Sequence, residues 1–258
     1  MTTPRLLAPG IVCLLALAVS PARAEDSPMT GFLDRVHKDS EGKEIKYVVF
    51  VPKGYDAKAD KTYPVILFLH GAGETRGARN GKQPVEVGIG PAIKKREKDF
   101  PFIVVIPQAQ TFGWQAGGAN ADMALHMLDE TMKEFKTDAK RVYLTGLSMG
   151  GGGTWSLAAK YPERWAAIAP ICGFIKRNPT ADDYKEIADK IKGIPCWCFH
   201  GDADPAVPVG ASRGVMKALW DAGAHPNYSE YPGVGHNSWD KAYATADLYE
   251  WLLAHKLK

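Results

Sequence analysis

Ser148 lies in the stretch VYLTGLSMGGGGTW (142–155), between Gly146 and Gly150 and ahead of three further glycines. A serine hydroxyl is a poor nucleophile until a base takes its proton. Gly-x-Ser-x-Gly between an apolar run and a helical segment marks a sharp, strained turn that presents the hydroxyl at a strand end. Glycines two before and two after remove side chains that would clash there. The amino end of the following helix then faces the reaction centre, where its N–H groups favour developing negative charge. The base should be a histidine, oriented by a carboxylate, in the chain order serine, acid, histidine. His200, His225, His236 and His255 follow Ser148. His200 ends an apolar run and directly precedes Gly201, which reads as a structural position. His225 precedes Pro226 at the start of a strand, and His255 ends the last helix and should be solvated. His236 lies in YPGVGHNSW, a glycine-bearing loop before the last helix, and is the expected base. The acid should end the preceding strand, in FHGDADPAVP. Asp202 and Asp204 both qualify, either could be a turn-former, and spacing does not choose. One oxyanion donor is the Met149 N–H, and LFLHGAGE supplies the loop for the other. His70 in that loop lies upstream of the serine and reads as a structural brace.

These residues need strands that end where they stand. Apolar runs at 46–52, 64–71, 100–108, 141–146, 165–173 and 195–201 read as strands, as does the stretch 226–233. Helices are expected over 121–136, from Ser148 to about Lys160, over 181–192 and 210–222, and over about 238–256. Met123, Leu125, Leu128, Met132 and Phe135 approximate one helical face, and Tyr161-Pro162 stops the helix after Ser148. Strands alternating with helices imply crossover connections, hence a mainly parallel sheet of α/β class with helices on both faces. Ligands in such sheets bind beyond the carboxyl ends of the strands.

HGAGE, GLSMGG, HGDADPAVPV and GVGHNSW occur in this order and resemble the α/β-hydrolase superfamily. The resemblance is nearest to its phospholipase/carboxylesterase group, with dienelactone-hydrolase-like proteins and esterases of the feruloyl and polyhydroxybutyrate-depolymerase type. It covers about residues 43 to 256. It implies a single α/β-hydrolase domain over 25–258, a doubly wound sheet and a catalytic triad of Ser148, Asp204 and His236. The acid of the Asp-Pro-x-Val-Pro segment is Asp204, so the resemblance selects it over Asp202. The residue after His-Gly gives the second oxyanion donor, here Ala72, beside Met149. Dienelactone hydrolases carry a cysteine nucleophile, and Ser148 departs from that pattern. The implied activity is carboxylic-ester hydrolysis through an acyl-enzyme, with no metal and no organic cofactor.

Alternatives in other classes are a prolyl-oligopeptidase-like peptidase and a non-catalytic module on the same fold. The peptidases carry a large propeller ahead of this core, and about twenty residues before the first expected strand leave no room for one. An intact nucleophile, acid, base and oxyanion loop count against the second. The expected substrate is a short-chain or aromatic ester, acetyl or feruloyl, as a small molecule or linked to a polysaccharide. The loop PQAQTFGWQAGGAN (107–120) should overhang the site. Trp114 is a candidate substrate contact there beside Phe112, and packing of the loop on the sheet is the competing reading. Arg76 and Arg79 lie near the oxyanion strand.

Of 258 residues, 45% are apolar, enough for a sizeable core, and the formal net charge is +3. Lys and Arg alternate with Asp and Glu without a basic cluster, which counts against a nucleic-acid partner. Residues 1–24 read as a signal peptide: Arg5, an uncharged run from Leu6 to Ala22, then SPARA with Ala22 and Ala24 in the small-residue pattern before Glu25. The run is too short and too broken by Pro9, Gly10 and Pro21 for a membrane span, and Val12 before Cys13 is too bulky for a lipoprotein anchor. The protein is therefore expected to be secreted or periplasmic, with no membrane span in the mature chain. Cys172, Cys196 and Cys198 would remain, an odd number. One disulfide with a free thiol is one reading, and three buried small apolar residues is the favoured one.

Overall fold

The computed structural model describes residues 29–39, 41–78 and 82–258. The leader expected over 1–24, with Cys13, and Arg79 lie outside these residues.

A hairpin opens the described chain. β1 (Gly31–Lys38) pairs antiparallel with β2 (Glu44–Val51), from Gly31 against Val51 to Lys38 against Glu44. Then follow β3 (Tyr63–Leu69), α1 (Ile89–Lys95), β4 (Ile103–Ile106), α2 (Ala119–Glu134), β5 (Thr137–Leu147) and α3 (Met149–Lys160). The chain ends with β6 (Ala167–Ile171), α4 (Ala181–Ile191), β7 (Trp197–Gly201), α5 (Gly210–Asp221), β8 (Asn227–Tyr231), α6 (Trp239–Ala244) and α7 (Ala246–Ala254). The strands form one eight-stranded sheet in the order β1-β2-β4-β3-β5-β6-β7-β8. β2 meets β4 antiparallel, and every pair from β4 onward is parallel.

Each face of the sheet carries its own core. In β3 all seven residues are buried, because successive side chains alternate between two covered faces. Val65, Leu67 and Leu69 pack with Met127 and Leu128 of α2 and Trp155 of α3. Ile66 and Phe68 pack on the opposite side with Ile89 and Ile93 of α1 and with Tyr243 and Leu252. That is the doubly wound sheet with helices on both faces, the α/β-hydrolase fold.

Three elements depart from the sequence-based reading. β1 is an edge strand in which only Leu33 and His37 are buried, so no apolar run announces it. His37 is covered by α2, where its Nδ1 lies 3.1 Å from Glu130 Oε1. α1 is seven residues long and contains Gly90 and Pro91, both poor helix formers. The last helix is two, because Thr245 takes an extended conformation (ψ 114°) between α6 and α7.

Cys172, Cys196 and Cys198 are all free and buried, so the disulfide alternative is not realised. Cys196 and Cys198 face the same core, as period-two alternation requires. Burial pushes the Cys172 and Cys198 thiols up to about 12. A thiol-specific chromogenic reagent is therefore expected to label none of the three in the native protein and all of them in denaturant. Stoichiometric labelling of native protein would contradict this packing.

Candidate active site

β5 delivers Ser148 and α3 leaves it. Ser148 has φ 53° and ψ −115°. Such a conformation costs a non-glycine residue about 1–3 kcal/mol and persists only where the surroundings over-determine it. Here they do. Ser148 N donates to Ile171 O of β6 at 2.9 Å, and Gly152 N donates back to Ser148 O at 2.9 Å. A Cβ on Gly150 would run into Leu69 O of β3, and one on Gly146 into Gly150 O. The glycines on either side of Ser148 thus let α3 begin directly against the end of the central strand.

His236 lies between β8 and α6, and Asp204 just beyond β7. Ser148 Oγ is 2.9 Å from His236 Nε2, and His236 Nδ1 is 2.7 Å from Asp204 Oδ2. Asp204 Oδ1 accepts from Ala206 N at 2.8 Å and Val207 N at 2.9 Å. Burial alone would raise the Asp204 pKa. The hydrogen bonds from His236, Val207 N and Ala206 N outweigh it and hold the carboxyl below its ordinary value. Asp202 serves the loop instead. It is exposed, and its Oδ1 accepts from Gly233 N at 2.7 Å. Ala203 N adds a bond to Val234 O at 3.1 Å, so the acid loop and the histidine loop are stapled together.

A cleft of about 580 Å³ opens over Ser148 and His236, with Ala72 in its wall. Met149 N belongs to the first turn of α3, whose N–H groups have no partner within the helix. Ala72 thus lines the same cleft as Ser148, and Met149 follows the serine directly in the chain. The cleft is polar, walled by Glu74, Lys82, Glu86, Asn237 and Asp240, with Trp239 as its aromatic side chain. The Trp239 ring meets the His236 ring edge-on at 5.2 Å. Glu74 is only 5% exposed, and burial raises its pKa against the hydrogen bond from Gly71 N and the charge of Lys82. Sequence reasoning passed over Glu74, although it ends the HGAGE motif. A larger cavity of about 810 Å³ lies alongside, between Phe112, Phe174, Tyr184 and Pro208. It holds no triad side chain, so size does not locate the chemistry. It adjoins the site through Ala206 and Val207, whose N–H groups hold Asp204.

Trp114 is not a substrate contact. It is fully buried, its indole N–H donates to His70 O at 3.0 Å, and a Cβ on Gly153 of α3 would strike it. The aromatic richness of loop 107–120 concealed a packing role, and only Phe112 of that loop's aromatics is strongly exposed, at 70%. His70 is the expected brace. Its Nδ1 bonds Gly71 O at 2.6 Å and its Nε2 accepts from Ala109 N at 2.9 Å. Arg76 donates to Gln110 Oε1 at 2.9 Å. His225 is exposed, while His255 is half-buried against Trp251 at 4.7 Å rather than solvated. Cys172, Asp204 and His236 bring three donor atoms within 4.8 Å of one another. Burial pushes the Cys172 thiol up to about 12, and its Sγ lies 3.5 Å from His236 O.

Strained serine turn, following acid and histidine, and doubly wound sheet together define an α/β-hydrolase. More narrowly, the model of the dienelactone hydrolase family matches residues 44–247, and the chain belongs to that family. Poly(3-hydroxyalkanoate) depolymerase C of Paucimonas lemoignei is 29% identical over 219 residues, 78% of this chain and 45% of its own. Feruloyl esterase D of Neurospora crassa is 26% identical over 87% of this chain and 79% of its own. A solved thermostable esterase superposes with a TM-score of 0.72 at 32% identity, over 87% of this chain and 63% of that one. The chain thus spans less than half of the depolymerase and under two thirds of the solved esterase.

Burial lowers the His70 pKa to about 4 from 6.5, against the hydrogen bond to Gly71 O. Between those values the unfolded chain binds a proton at this residue that the folded one refuses, so stability rises with pH there. It is fully present above the higher value and lost as pH falls toward the lower. Urea unfolding across this window is expected to show that slope, reduced in His70→Gln. An unchanged slope in the variant would assign the effect elsewhere.

Proposed function

We propose that the protein is a serine carboxylic-ester hydrolase working through an acyl-enzyme. The observation that carries this reading is the unbroken line from Ser148 Oγ to His236 Nε2 at 2.9 Å and from His236 Nδ1 to Asp204 Oδ2 at 2.7 Å, open to a cleft. His236 takes the Ser148 proton as the oxygen attacks the ester carbonyl. The Ala72 and Met149 N–H groups receive the oxyanion. His236 then protonates the departing alcohol, while Asp204 holds the imidazole in the tautomer with its proton on Nδ1. Water, deprotonated by the same histidine, releases the acid. Each step needs only these side chains and two backbone donors.

The substrate in this proposal is a short-chain or aromatic ester, acetyl or feruloyl, whose alcohol is a small molecule or a polysaccharide hydroxyl. Two observations support it. The cleft wall is polar and charged, which favours a hydroxylated alcohol over a long acyl chain. The relatives include a feruloyl esterase and a polyester depolymerase. The proposal extends to export by the leader 1–24. Among the described residues no helix is long and apolar enough to cross a membrane. N-terminal sequencing of exported protein is expected to begin at Glu25.

Hydrolysis of p-nitrophenyl esters from acetate to laurate, with methyl ferulate and acetylated or feruloylated oligosaccharides alongside, tests the reading. Short chains should be cleaved fastest. Ser148→Ala should lower kcat by about 10⁶. Asp204→Asn, which keeps the geometry and spoils the tautomer, should lower it by about 10⁴. A folded wild type inert toward every ester, or a Ser148→Ala variant that retains activity, would overturn it.

A further inference from the structure

Asp204 has a second histidine. His200 is the fourth residue of β7, fully buried, and its Nε2 lies 3.2 Å from Asp204 Oδ2, the same oxygen that receives His236 Nδ1. Both side chains of this pair are wholly removed from solvent. The pair is close enough for an ion pair, yet burial lowers the His200 pKa, which favours the neutral ring. One of its nitrogens then carries a proton and the other does not, and the surroundings decide which. Nε2 lies 2.9 Å from Val207 O, and a carbonyl can only accept. The proton is therefore on Nε2. Nδ1 must accept, and Ser212 Oγ of α5 stands 2.7 Å from it to donate. The Ser212 oxygen is in turn approached by the Cys198 thiol at 3.4 Å. Every bond in this chain runs one way: Cys198 to Ser212, Ser212 to His200, and His200 to Val207 O, with Asp204 Oδ2 beside the donating nitrogen at 3.2 Å.

We propose that His200 is a positioning residue for the triad, its Nε2–H anchored on Val207 O and set beside Asp204 Oδ2, where it steadies the carboxylate that orients His236. This rests on the reading of Ser148, His236 and Asp204 as the triad. Oδ1 is held by two backbone N–H groups, whereas Oδ2 has a single hydrogen bond, from His236, and His200 Nε2 as its other polar neighbour at 3.2 Å. A buried carboxylate oxygen with one mobile partner follows that partner. With His200 against it, the carboxylate stays in place while His236 alternates between imidazole and imidazolium. The N–H dipole also withdraws negative charge from Oδ2, so His200 limits how strongly Asp204 raises the basicity of His236. The other titratable or charged groups around the ring are His236, Cys198 on its own strand and Glu230, its register partner on β8. Glu230 is paired with Arg213 of α5 at 2.9 Å.

The test compares wild type, His200→Leu, His200→Gln and His200→Asn, each normalised to active sites titrated with an organophosphate. Gln can carry an N–H to the place of Nε2, whereas Asn reaches only as far as Nδ1. Leu and Asn are expected to lower kcat roughly 10- to 100-fold, the scale on which a misplaced catalytic group is felt, with KM unchanged within about 3-fold. Their acid limb in kcat/KM should move to higher pH, and Gln should restore both. Asn keeps a polar partner for Ser212, so the prediction stands even where Leu does not fold. Nitrogen NMR of the wild type should show His200 neutral with its proton on Nε2. Variants with wild-type kcat per titrated site and an unmoved acid limb would overturn the proposal, as would a proton on Nδ1. A wild type with no esterase activity and no titratable serine would instead overturn the triad reading.

Discussion

Everything in the site follows from how closely α3 starts against the end of β3. At Gly150 no room remains for a side chain, since a Cβ there would collide with Leu69 O. That approach forces the tight turn, the turn forces Ser148 to positive φ, and the same movement aims the first turn of α3 at the serine. It also brings the loop of Ala72 beside the serine, because Leu69 runs through His70 and Gly71 straight into Ala72. The strain is on the order of 1–3 kcal/mol. Fully burying one large apolar side chain stabilises by about 1.5–3 kcal/mol. α3 buries Trp155 and Leu157 completely, so its own packing offsets the turn it imposes.

On either side of the serine stands a strand that ends His-Gly. β3 runs into His70-Gly71 and β7 ends with His200-Gly201. Both rings are fully buried, burial lowers both pKa values, and each ring bonds backbone in a loop that follows. One pillar supports the oxyanion loop and the other the acid loop. A neutral imidazole suits the post because it offers one donor and one acceptor on a rigid plane, where a lysine or carboxylate would bring a charge that burial penalises. His236, a quarter exposed, is the histidine of the three that opens onto the cleft.

Much of this was legible in the sequence because the determinants are local. Gly146, Ser148 and Gly150 carry their turn with them, and the continuous apolar runs of β3 and β4 show that both faces are covered. What was not legible depends on distant partners. β1 is held by β2 and α2, so its own pattern is weak. α1 is short and poor in helix formers, and tertiary packing makes it a helix. The break at Thr245 has no proline or glycine to announce it. Spacing leaves Asp202 and Asp204 equivalent; the Asp-Pro-x-Val-Pro resemblance selects Asp204, and the loop bearing Gly233 and His236 separates the two in space. Trp114 misled for the same reason: an aromatic in a glycine-rich loop looks available, and its burial against α3 is a property of the assembled fold. Glu74 and His200 escaped notice as site residues because neither type at its position demands a partner that the sequence names.

Three thiols lie in this core, and none is oxidised. Cys196, just ahead of β7, and Cys198 within it face the same core and cannot turn toward each other without breaking the strand, while Cys172 is on the far side of the sheet. No covalent crosslink has to form for the described domain to reach its native state. Its maturation makes no demand on glutathione poise, oxidase or disulfide isomerase. The same fold is open to the chain in a reducing cytosol or an oxidising space beyond it, so the compartment of synthesis and the compartment of work need not match.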